Sequence, residues 1–243
     1  MTDLMHRFFL PQGVGGQTVS VSGKTAWYLA GVLRLTAGQQ VIGFDGQGTE
    51  YLLLIEKMEK DTVKLKLISK KQNFSRESTR EIILFQAIPK ADKMDRIIRE
   101  ATLLGVSAIV PMETERVVPC LQEEKLHRRL QRWNKIAAEA SRLSGRTVVP
   151  RIHRTLSLKE ALAWPADRKF FFWEKVTGAL PELSDGKRIA IFIGPEGGFS
   201  DKEAEMAQDR NAFLCGLGPR ILPVETAAVV AITLISYGIL YRW

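Results

Sequence analysis

A chain of 243 residues, 45% hydrophobic and 26% charged, has material for one large or two modest buried cores, which excludes a disordered or fibrous polypeptide. Its net charge of +8 and pI near 9.6 favour a polyanionic partner, and two cysteines without CxxC or Cys/His spacing argue against a metal site or disulfide framework and for a reducing cytoplasm. The longest apolar segment, Ala227 to Leu240, contains Thr233 and Ser236 and is shorter than the roughly 20 residues a membrane span needs, so no membrane association is expected.

Residues 1–72 read as a small β domain. Val41–Asp45, Glu50–Ile55 and Thr62–Ile68 are short strands, and Asp45-Gly46 followed by Gly48 marks a hairpin turn. The last strand alternates Val63, Leu65 and Leu67 with Lys64 and Lys66, one face buried and one wet. A polar link, Lys70 to Arg80, contains the boundary to a second domain over residues 73–243.

From Glu81 the rhythm becomes strand, helix, strand, helix. Ile82–Ile88 is an apolar strand, and Lys90–Leu104 places Met94, Ile97, Ile98, Ala101 and Leu104 on one helical face with Gly105 at its stop. After a strand over Val106–Val110 comes a long helix with Leu126, Leu130, Trp133, Ile136, Ala137 and Ala140 facing inward. Between Lys125 and Arg154 stand nine basic residues and one acid, Glu139, a density that points to nucleic acid and marks Arg128, Arg129, Arg132 and Arg142 as candidate RNA contacts. Phe170–Trp173 and Ile189–Ile193 are apolar on both faces, as strands of a helix-covered parallel sheet are, so the fold class is α/β.

Two loops then carry the chemistry. Ile193 leads into Gly194-Pro195-Glu196-Gly197-Gly198 and a helix whose start is specified by the capping box Ser200/Glu203. Leu217-Gly218-Pro219-Arg220 leads through Leu222-Pro223-Val224 to Glu225-Thr226-Ala227 at the head of the final helix. Glycine lets main-chain groups approach a flat, polar ligand closely, so Gly197→Val is expected to abolish its binding. Arg220 is the natural anion binder, unless it pairs with Glu225. The absence of Gly-Lys-Ser/Thr excludes a P-loop, and no GxGxxG follows the first strand of the domain.

These stretches, together with His6–Phe9, Lys90–Asp95, Leu104–Val106, Glu115-Arg116, Arg132–Ala137, Gly145-Arg146 and Val149-Pro150, resemble the RsmE-type RNA methyltransferases of the SPOUT superfamily over essentially the whole chain. The resemblance implies a PUA-like β-barrel followed by a SPOUT-type trefoil-knotted parallel sheet domain, a rare exception to unknotted topology. It implies S-adenosylmethionine-dependent methylation of uridine N3 in 16S ribosomal RNA, free or in the small ribosomal subunit, by a cytoplasmic homodimer whose site is completed at the interface, with no metal. The cofactor would lie near Phe172, Ile193, Gly194, Pro195, Glu196, Gly197, Gly198, Leu217, Gly218, Leu222, Val224, Thr226 and Ala227. Further RNA contacts would come from Arg7, Lys90, Lys93 and Arg116.

For the chemistry, Arg220 and the partner protomer's copy of Arg146 are candidates to stabilise a uracil anion, and Glu225 is either a base or a helix cap. The chain departs from the family at Pro223, where a second arginine is usual. That departure keeps a non-catalytic RNA-binding factor open as an alternative, beside a ribose 2′-O-methyltransferase.

Overall fold

The computed structural model describes residues 5–116, 123–176 and 186–237. The chain forms two compact units, Met1–Glu77 with Ser141–Val149, and Ser78–Ala140 with Pro150–Trp243.

The first unit is a five-stranded sheet. Strands β1 (Arg7–Phe9), β2 (Thr18–Ser22), β3 (Gln40–Phe44), β4 (Thr49–Met58) and β5 (Thr62–Gln72) take the order β1-β3-β4-β5-β2. Only β1 and β3 run parallel. Helix α1 (Gly23–Trp27) continues into a π-helical turn over Tyr28–Val32. The expected hairpin joins β3 to β4: one Asp45 carboxylate oxygen accepts from the N–H groups of Gln47 (2.8 Å) and Thr49 (3.0 Å), and Gly46 and Gly48 adopt φ of 80° and 104°. Val63 and Leu65 enter a core with Phe8, Leu29, Val41, Leu53 and Ile55, while Lys64 and Lys66 stay exposed.

A polar cluster closes this unit. Arg7 pairs with Glu50 and donates to the Arg146 carbonyl at 3.1 Å. Burial opposes the charge on Glu50, but hydrogen bonds from Arg7 and Asn73 outweigh it and hold its carboxyl below the usual range. Glu77 accepts from Arg146 Nε at 2.9 Å and Nη2 at 2.8 Å on one oxygen, and from the N–H groups of Thr147 and Val148 on the other. The return segment, Ser141–Val149, is thereby held to residues far away in sequence.

The second unit is a parallel α/β sheet. Its elements in order are β6 (Glu81–Ala87), α2 (Lys93–Leu103), β7 (Ala108–Glu113), α3 (Glu123–Ser144, whose last turn belongs to the first unit), β8 (Arg151–Ile152), β9 (Leu156–Ser157), α4 (Leu158–Leu162), β10 (Arg168–Phe172), β11 (Arg188–Ile193), α5 (Asp201–Asp209), β12 (Phe213–Cys215) and α6 (Val224–Tyr237). The strand order is β12-β10-β11-β6-β7-β8, with β9 also on β7. Phe85, Phe171 and Phe192 pack one face of the sheet against Leu158, Leu162, Ala204 and Ala207 of α4 and α5. Helices α2 and α6 contribute nothing to that cluster; they pack on each other, and α6 also packs on β6 and β11. Gly105, with φ of 91°, stops α2 as its sequence predicts.

Among the described residues no helix is long and apolar enough to cross a membrane. Cys120 lies outside the described residues. Cys215 is buried and free, and burial pushes its thiol up to about 12. A Cys120→Ser protein is therefore expected to resist thiol alkylation while native and to label fully in denaturant; rapid native labelling would contradict the burial.

Candidate functional site

The carboxyl ends of β10, β11 and β12 lie side by side, and the loops leaving them define one cavity of about 640 Å³. Such a crevice beyond the carboxyl ends of parallel strands is where α/β sheets bind ligands, and its volume suits a nucleoside-sized molecule.

The first loop is built tightly. Gly198 turns the chain with φ of 65° and donates its N–H to the Pro195 carbonyl at 2.9 Å. The capping box is present: Glu203 N–H donates to Ser200 Oγ at 3.3 Å, and Ser200 N–H donates to Glu203 Oε2 at 2.8 Å. The other Glu203 oxygen accepts from Glu115 N–H at 2.8 Å, and Arg116 Nη1 in turn donates to the Gly197 carbonyl at 2.6 Å. Phe199 inserts against Phe171, with ring centroids 3.9 Å apart. The indole N–H of Trp173 donates to the Phe199 carbonyl at 3.1 Å, while the Trp173 backbone N–H donates to Cys215 at 2.8 Å. The ends of β10 and β12 and the glycine loop are thus joined through one residue.

Glu196 ties this loop to the start of α2. Its carboxylate accepts from Lys93 Nζ at 2.8 Å and Lys90 N–H at 3.1 Å. Burial opposes its charge, but these donors prevail and hold its carboxyl below the usual range. The folded value lies below the unfolded one, so the tether's contribution is present above the ordinary glutamate range and is lost as pH falls through the folded value.

Of the residues expected at a cofactor, Phe172, Ile193, Gly194, Pro195, Glu196, Gly197, Gly198, Leu217, Gly218, Leu222, Val224 and Ala227 all line the cavity. Thr226 does not; it is exposed on the first turn of α6. Arg220 lines the cavity. Glu225 does not, and its Oε2 is buried without a hydrogen bond among the described residues. Arg146 is likewise absent from the lining. It belongs to the first unit, where it is 3% exposed and bound to Glu77.

The expected RNA contacts divide by their partners. Arg7 is held by Glu50 and the Arg146 carbonyl. Lys93 and Arg116 hold the glycine loop. Arg142 stacks over the Tyr28 ring at 5.2 Å. Lys90 is exposed, and its backbone N–H, not its ammonium, meets Glu196. On α3, Arg128 and Arg132 are exposed, Arg132 pairing with Asp95, and Arg129 is half-buried.

Sequence reasoning missed Trp173 and Glu174, which also line the cavity. The signal was available: both directly follow a strand apolar on both faces, at its carboxyl end. Glu174 forms no hydrogen bond or ion pair among the described residues, and its carboxylate lies beside Gly198.

Comparison with known proteins bears on this geometry. The RNA methyltransferase domain family matches residues 76–236, and the RNA methyltransferase PUA domain family matches residues 21–68. The ribosomal RNA small subunit methyltransferase E of Bacillus subtilis (strain 168) is 31% identical over 248 aligned positions, covering 96% of each chain. The ribosomal RNA small subunit methyltransferase E of Neisseria gonorrhoeae, solved bound to S-adenosyl methionine, superimposes with a TM-score of 0.86 at 29% identity, covering 97% of this chain and 98% of that one. A Legionella pneumophila protein solved with bound SAM gives a TM-score of 0.88 at 28% identity, covering 98% and 99%.

Proposed function

The chain belongs to the RsmE family of small-subunit ribosomal RNA methyltransferases, with a PUA-like N-terminal domain and a parallel α/β methyltransferase domain, and from that premise we propose that it methylates N3 of a uridine in 16S ribosomal RNA using S-adenosylmethionine. The observation that carries this reading is the meeting of the Gly194–Gly198 and Leu217–Ala227 loops around one cavity.

The cavity fits that cofactor. Glycine leaves main chain at the wall, apolar side chains from Phe172, Ile193, Leu217 and Leu222 suit an adenine face, and the Glu174 carboxylate offers a counter-charge to a cationic ligand. When bound, S-adenosylmethionine supplies a methyl group already activated by its sulfonium. The protein's part is alignment and charge. The anchored Gly194–Gly198 loop would hold the donor in place, which is the entropic contribution to catalysis. Arg220, at the cavity wall, favours the uracil anion that loss of the N3 proton creates. Neither Glu225 nor Arg146 is needed for this assignment.

We also assign the protein to the cytoplasm and to a homodimer. Ile221 at the cavity wall is 80% exposed and Tyr237 on α6 is 70% exposed, apolar surface that a second copy would cover. Light scattering on the purified protein tests the dimer; a strict monomer at assay concentration overturns it.

Incubation with methyl-labelled S-adenosylmethionine and small-subunit RNA, followed by digestion to nucleosides, tests the reaction. The expected product is 3-methyluridine. Label on a ribose 2′-oxygen would assign the chemistry to the sugar, and RNA binding without transfer would make the protein a binding factor.

A further inference from the structure

A second concavity, of about 450 Å³, lies between α2 and α3. Arg99 of α2 supplies one wall, and Arg128, Arg132 and Lys135 of α3 supply the other. Ile136 and Ala140 also line it, half-buried and buried respectively, and make an apolar floor. Arg128, Arg132 and Lys135 recur at helical spacing on one face and span about 10 Å at 1.5 Å per residue. Asp95 engages Arg132. Arg99, Arg128 and Lys135 are exposed, and no ion pair among the described residues involves them. Glu139 is the single acid in the lining.

A merely solvated helix pair would intersperse acids among these cations. Here Asp95 meets only Arg132 and Glu139 is the one acid of the lining, so Arg128 and Lys135 face Arg99 across an apolar strip without an ion pair of their own among the described residues. We propose that this groove holds the sugar–phosphate backbone of the RNA substrate, with phosphates at the cationic walls and riboses over Ile136 and Ala140; the proposal rests on the reading of the protein as an RNA methyltransferase. Cations in a row recognise evenly spaced phosphates without reading bases, so the groove positions the RNA while the cavity at the strand ends selects the nucleotide. It also assigns Arg99 and Lys135, neither of which stands out in the sequence from its charged neighbours.

The test is the full-length Arg99→Gln/Lys135→Gln protein, titrated with a transcript of small-subunit ribosomal RNA across a salt series. Two lost phosphate contacts should make the plot of log affinity against log salt shallower by about 1.4–1.8 and weaken binding roughly 10–30-fold at physiological salt. S-adenosylmethionine affinity and thermal midpoint should stay at the wild-type values. The comparison protein is Lys159→Gln/Lys202→Gln, which removes equal charge from exposed positions on α4 and α5 and should keep the wild-type slope. An unchanged slope in the groove variant, or an equal change in the comparison protein, overturns the assignment. Failure of the underlying reading looks different: the wild-type protein would transfer no methyl group, while its salt slope would still report on the groove.

Discussion

Glu77→Ala is expected to lower stability by about 3–5 kcal/mol, which for a chain of this size corresponds to a fall of roughly 6–20 °C in thermal midpoint. The Glu77 side chain is 12% exposed and that of Arg146 3%, so the mutation strips a carboxylate from a guanidinium that water cannot readily reach. It also strands the N–H groups of Thr147 and Val148, both of which donate to Glu77. Glu77→Gln should fall between wild type and alanine, because its amide oxygen still accepts from the backbone but carries no charge. The double variant Glu77→Ala/Arg146→Met should recover much of the loss, since the buried charge is gone as well. Hydrogen exchange localises the effect: the amides of Thr147 and Val148 should lose protection before those of β4. An unchanged midpoint in the alanine variant would show that the pair contributes nothing.

This pair illustrates what sequence could not reveal. Glu77 and Arg146 are 69 residues apart, and the apolar pattern of α3 continues without any sign that its last turn joins the first unit. That Arg7 and Arg146 are each held by a carboxylate was not legible either, because a sequence states charge and not exposure. By contrast, β6, β10 and β11 were legible: buried on both faces, they appear as apolar runs that need no periodicity. The capping box at Ser200/Glu203 was legible because it is local, four residues specifying their own geometry. The second task of Glu203, holding Glu115, was not, because it depends on which loop packs there.

The cavity lies between these extremes. Each loop could be recognised from its own glycines and prolines. Their meeting depends on β10 lying between β11 and β12, an order the chain does not follow in sequence. Of the strands that set it, β12 has only three residues, too few for any alternation to show. Trp173 and Glu174 are legible as residues at the carboxyl end of an apolar strand, but that this end opens between the two loops depends on β10 being the middle strand.

That arrangement makes Gly198, more than Gly197, the position where a single methyl group matters most. A Cβ at Gly197 would meet Arg116 at 3.4 Å, an ordinary contact, with no left-handed φ to oppose it. At Gly198 the backbone has φ of 65°, costing an L-residue about 1–2 kcal/mol, and a Cβ would stand 2.5 Å from Glu174 Oε1. Glu174 is exposed and can swing aside, so the fold survives; what is lost is the carboxylate's position at the cavity wall and the set of the turn. Gly198→Val, β-branched and so harder to place, is expected to reduce S-adenosylmethionine affinity at least 100-fold by calorimetry, about 2.7 kcal/mol, with the circular dichroism of the fold retained. Gly197→Ala should stay within a few-fold of wild type. Glu174→Ala separates the two causes: it keeps the turn and removes only the charge, so it should show a smaller loss than Gly198→Val. Equal affinities for Gly198→Val and wild type would mean that the glycine loop does not form the ligand's wall, and the cavity would lose its claim to the methyl donor.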